Sequence, residues 1–106
     1  MQHTIVASAI GDNNGAVYVF DRTGTNTFNE VGILTGGTYA DDGSEFGTQV
    51  KISSNGKTIV VGCPNAEVDE AVVGTGLVQI FDRNPDNTFT RVGVLTGSHA
   101  APALAV

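Results

Sequence analysis

The chain has no tryptophan, one cysteine, one methionine and only five lysines and arginines among 106 residues. Each shortage removes a class of explanation. A lone Cys63 cannot form an internal disulfide, and its apolar neighbours (Thr58 to Cys63, TIVVGC) mark it as a small buried hydrophobe rather than a reactive thiol. Five scattered cations against eleven acidic residues give a net charge of −6. That is the wrong sign and the wrong pattern for a nucleic-acid footprint or an anionic membrane surface. No apolar run is long enough to span a bilayer, so membrane insertion is not expected. The N-terminal MQHTIVASAIG carries no signal-peptide pattern. Long straight-chain helix formers are scarce, and no window sustains apolar residues at helical spacing.

Glycine, threonine, valine and asparagine fill the space instead, a composition of strands and turns. The chain is therefore expected to be all-β. Its organisation comes from self-similarity. Residues 15–36 (GAVYVFDRTGTNTFNEVGILTG) recur as residues 76–97 (GLVQIFDRNPDNTFTRVGVLTG), with 13 of 22 positions identical. A long fixed period of this kind marks stacked units, each needing a neighbour to bury its faces.

The second unit is the more complete. Phe46 to Ser53 reads as a strand ending at Ser54-Asn55-Gly56, where Asn-Gly between apolar runs is a strong hairpin signal. Thr58 to Cys63 returns as the next strand, and Pro64 stops it because proline cannot donate to a central ladder. Gly76 to Asp82 and Phe89 to Leu95 follow, separated by the turn cluster Asn84-Pro85-Asp86-Asn87. Four antiparallel strands in this length make one propeller blade, somewhat above the ~40–50 residues of common propeller repeats.

In the first unit Thr4 to Ala9, Gly15 to Asp21 and Phe28 to Leu34 match the last three strands, and the opening strand has no counterpart. The expected division is an incomplete blade over 1–40, a complete one over 41–97, and 98–106 as a tail or a partial strand of a further blade. Val17 and Val19 point one way while Ala16, Tyr18 and Phe20 point the other, so both faces are apolar. Two apolar faces suit sheets sandwiched between sheets, as blades are.

Phe46-Gly47, then a hairpin, then Gly62-Cys63-Pro64, then Gly76 to Phe81, resembles the FG-GAP repeat. That repeat is named for a Phe-Gly pair followed by Gly-Ala-Pro, and it builds the β-propeller heads of integrin α subunits and many surface proteins. Cys63 stands where alanine is usual, and the earlier copy has Ser8-Ala9-Ile10 at the Gly-Ala-Pro position. The resemblance covers nearly all of residues 4–97, about 1.75 repeats. It implies a seven-bladed propeller as in the commonest family members, of which this chain holds under two blades, and an extracellular or cell-surface setting. Gly47 and Gly62 would let neighbouring backbones approach where a Cβ would clash.

Many members of that family bind calcium in the first hairpin through an Asp-x-Asp-x-Asp-Gly-like loop. Here that hairpin is Ser53-Ser54-Asn55-Gly56-Lys57, without a carboxylate, so the family calcium site is not expected and no cofactor is assigned. Asp12-Asn13-Asn14-Gly15 and Asp41-Asp42-Gly43-Ser44-Glu45 offer oxygens at short spacing, which turns also use. Asp41, Asp42 and Glu45 are the candidates for a weak metal site, with turn chemistry the favoured reading. His3 and His99 lie near opposite termini and form no zinc cluster.

No nucleophile–base pair emerges, so the chain reads as non-catalytic. Asp21-Arg22 and Asp82-Arg83 recur at one strand end, and their arginines are expected to pair locally or with the next blade's edge, worth ~1 kcal/mol or less if exposed. The expected function is a structural and binding module of adhesion type. Its expected partners are the remaining blades of a longer parent or copies of itself, with protein contacts through the loops. A lectin-like propeller formed by oligomerisation is the alternative, although sugar sites commonly rely on aromatic platforms and tyrosine occurs only at 18 and 39. The offset between an incomplete and a complete unit is consistent with either self-association or truncation.

Overall fold

The computed structural model describes residues 3–10, 15–36, 46–63 and 77–96. All seven regular elements among them are β-strands, in chain order β1 (His3–Ala9), β2 (Ala16–Arg22), β3 (Phe28–Leu34), β4 (Gln49–Ile52), β5 (Thr58–Cys63), β6 (Leu77–Arg83) and β7 (Phe89–Thr96). They form two antiparallel sheets, β1-β2-β3 at the N-terminal end and β4-β5-β6-β7 at the C-terminal end. The chain is all-β, as its composition implies. The weak metal candidates Asp41, Asp42 and Glu45, the residues Pro64 and Gly76, and the 98–106 tail lie outside the described residues.

Each hairpin follows from its turn chemistry. Between β4 and β5, Gly56 has φ +73° and its N–H donates to the Ser53 carbonyl at 2.9 Å. The Asn55 carboxamide oxygen accepts from the Lys57 N–H at 3.0 Å and from the Ser53 hydroxyl at 2.7 Å, a local bond pattern that substitutes for a ladder. Between β6 and β7, Asn87 carries the positive φ, +70°, that asparagine tolerates. Asp86 accepts from the Thr88 N–H and hydroxyl, which hold its carboxyl below the usual range.

Both sheets share one irregularity. The register shifts between Val19 and Phe20 on β2, and at the matching Ile80 and Phe81 on β6. In each case the strand opposite carries one extra residue, Val31 on β3 and Val92 on β7, a bulge that bends the ladder. The repeat is therefore structural as well as textual.

The start of β4 differs from expectation. Phe46 and Gly47 form a turn, and the ladder opens only at Gln49. Gly47 has φ +95°, which a strand residue does not adopt, and its N–H donates to the Gly62 carbonyl at 3.0 Å. Leaving the ladder lets the fully buried Phe46 ring enter the gap between the sheets, edge-on to Phe81 with centroids 6.3 Å apart.

The core lies between the sheets. Val17, Val19 and Leu34 come from the N-terminal sheet, and Ile59, Val61, Cys63, Leu77 and Phe81 from the C-terminal sheet. Cys63 is fully buried, in keeping with its apolar strand. Strand alternation then assigns every other residue of β2 and β6 to an outer face.

Candidate functional site at the joint between the sheets

The joint carries a charged clamp at one end. Arg83, the last residue of β6, reaches across to Asp21 on β2 with two parallel hydrogen bonds, Nη2 to Oδ2 at 2.6 Å and Nη1 to Oδ1 at 3.0 Å. This is the fork geometry that matches guanidinium to carboxylate. The side chains are 13% and 3% exposed, so solvent screens the pair little. Thr4 on β1, directly opposite Asp21, donates its hydroxyl to Oδ1 at 2.9 Å and accepts from Arg83 Nη1 at 3.3 Å. The guanidinium holds the Asp21 carboxyl below its usual range against the opposing effect of burial, with Thr4 adding to the lowering. Asp21 in turn raises Arg83.

The turn after β6 aims the arginine. Asn87 presents its side-chain oxygen to Arg83 Nε at 3.1 Å and Nη2 at 2.8 Å, and the Arg83 guanidinium sits 5.8 Å over the Phe89 ring. Phe89 itself enters the joint. A Cβ on Gly32 of β3 would lie 2.6 Å from that ring, so the missing side chain is the hole that the ring fills.

The far end of the joint is tied by a carboxamide and a guanidinium. Gln79, fully buried, and Arg91 both donate to the Gly36 carbonyl, at 3.5 Å and 3.3 Å, and Arg91 also donates to Gln79 Oε1 at 3.1 Å. Gly15 and Gly47 bring the backbones together between these ends. A Cβ on Gly15, whose φ is +97°, would fall 2.1 Å from the Phe46 carbonyl oxygen. A Cβ on Gly47 would meet Val17 at 3.2 Å and the Ala16 carbonyl oxygen at 3.3 Å.

Of the residues singled out in the sequence, Phe46, Gly47 and Cys63 gather at this joint, while Gly62 alternates to the other face of β5 and meets Gly47 only through its carbonyl. The two arginines take the two expected routes: Arg83 pairs with the facing sheet, where Asp21 is buried and Arg83 largely so, and Arg22 pairs locally, its exposed guanidinium turning back to the Gly24 and Thr25 carbonyls of its own hairpin. Gly15 was missed as a site residue although it is one of the repeat identities and the counterpart of Gly76. Gly32 and Gly93 carried the same unread signal.

A polar cleft of about 380 Å³ opens beside the clamp, lined in part by Thr4, Asn55, Lys57, Arg83 and Asn87. Its donors and acceptors are largely committed. Arg83 serves Asp21 and Asn87, and Asn55 serves its own turn. Among the described residues no group of three or more histidine, cysteine, aspartate or glutamate side chains could hold a metal ion. What this arrangement does chemically is lock one sheet onto another in a single register. Comparison with family models, with curated proteins and with solved structures returned no significant match.

Proposed function

We propose that the chain is a non-enzymatic, FG-GAP-like β-propeller fragment, a structural and binding module of adhesion type that assembles with further blades or with copies of itself. One observation carries this reading. The two sheets stack in the same sense, so the C-terminal sheet uses against its neighbour the face that the N-terminal sheet turns outward. Arg83 and Phe89 point into the joint, while their repeat counterparts Arg22 and Phe28 lie on the opposite, outer face of the first sheet. Stacking of this kind has no natural end, because each added unit offers the next one the same surface. Propellers resolve it by closing the ring.

The apolar outer faces agree with this. Ile5, Ile33 and Leu95 are large hydrophobic side chains left exposed on the described surface. A ring of about three or four copies would supply roughly six to eight sheets, the range in which propellers close. Light scattering coupled to size exclusion at micromolar concentration is the test. An assembly of several copies is expected, and a folded, compact monomer contradicts assembly with itself.

A further inference from the structure

We propose that a second copy of this chain docks by reproducing the internal joint, with Arg22 and Phe28 of one copy seated on Asp82 and Gly93 of the next. This rests on the assembly reading above and specifies its contact. The filled joint and two open faces of the chain, one on each sheet, match residue by residue.

One half is the outer face of the N-terminal sheet. Arg22 and Phe28 lie opposite each other across β2 and β3, as Arg83 and Phe89 do across β6 and β7. Each arginine sits over its phenylalanine at the same distance, 5.9 Å and 5.8 Å. Phe89 is half-buried against Gly32, whereas Phe28 is 53% exposed. Ile59 is fully buried in the joint, and its counterpart Ile5 is 40% exposed.

The other half is the outer face of the C-terminal sheet. Asp82 stands where Asp21 stands, and Thr58 donates to it at 3.0 Å just as Thr4 donates to Asp21 at 2.9 Å. Asp21 receives a guanidinium; no ion pair to Asp82 occurs among the described residues. Gly32 is filled by a phenylalanine ring, but a Cβ on Gly93 would meet only Ile80 of its own sheet, at 3.4 Å. Leu34 is 3% exposed and its counterpart Leu95 is 51% exposed. A cation beside an aromatic knob on one face, and a carboxylate beside a glycine hole on the other, are complementary in charge and shape. The faces differ, so the contact is head-to-tail and not two-fold.

Two end-blocked variants test this. Arg22→Glu with Phe28→Asp closes the first face, and Gly93→Leu closes the second, with Asp82→Lys as its replacement should Gly93→Leu fail to fold. Circular dichroism and a cooperative thermal transition establish that each variant is folded. Each alone is expected to be a monomer by light scattering, its self-affinity reduced at least about tenfold. Mixed, they are expected to form a one-to-one dimer and nothing larger, because each retains one complementary face. Folded variants that keep the wild-type assembly mass overturn this joint while leaving assembly through another surface intact. Folded variants that are monomeric but do not pair when mixed overturn the joint as well. A wild-type chain that is itself a folded monomer overturns both the joint and assembly with itself.

Discussion

Arg22 and Arg83 follow the same aspartate, end the same strand of the repeat and cover the same phenylalanine, yet they have different surroundings. Arg83 is inside a joint between two sheets, where Asp21, Thr4 and Asn87 converge on it. Arg22 is on an outer face and bonds the carbonyls of its own turn. The same contrast separates Gly32 from Gly93, Leu34 from Leu95 and Ile59 from Ile5. Identity within a repeat therefore fixes the role a residue can play, and the presence of a neighbouring sheet decides whether it plays it. A pair that looks dispensable on one face is structural on the other.

That contrast can be broken by paired substitutions. The largest effect is expected in the core: Ile59→Ala should cost about 2–5 kcal/mol by chemical denaturation, and Ile5→Ala of the monomer under about 1 kcal/mol. Asp21→Asn comes next, at about 2–3 kcal/mol, because it leaves the largely shielded Arg83 without its counter-charge. Asp82→Asn should cost under about 1 kcal/mol in a monomeric background. Gly32→Ala should cost about 1–3 kcal/mol, since a methyl group there displaces the Phe89 ring, whereas Gly93→Ala should be close to neutral.

The smallest expected effect is on pH dependence. Asp21 has a folded pKa below its unfolded value of about 3.9, so acid protonates the unfolded chain first. Its contribution is full above the unfolded value and is lost as pH falls through the folded one. The stability gap between wild type and Asp21→Asn should therefore narrow below about pH 4 and stay constant around neutrality. Arg83, shifted upward, contributes across that whole range.

Much of this was legible in the sequence for identifiable reasons. Phe28–Leu34 and Thr58–Cys63 fall where alternation and turn residues put them, because Asn, Gly and β-branched residues leave little choice there. The β4 start was misread because Phe46 continues an apolar pattern, while the departure from the ladder is made by Gly47 and its positive φ. The bulges at Val31 and Val92 are silent in sequence, since a valine is an ordinary strand residue and carries no mark of being left unpaired. The Asp-Arg repetition was visible, but its energy depends on burial between sheets, which no local window encodes. Likewise Gly32 shows that a glycine inside a strand can be a socket, and its partner Phe89 is distant in sequence.

The most direct test of the account is a pair of double-mutant cycles. One removes Asp21 and Arg83 singly and together, and the other removes Arg22 and Asp82. A coupling of about 1–3 kcal/mol is expected for the first pair at every protein concentration. For the second pair coupling is expected only at concentrations where the chain self-associates. No coupling between Asp21 and Arg83, or none between Arg22 and Asp82 at any concentration, would contradict it.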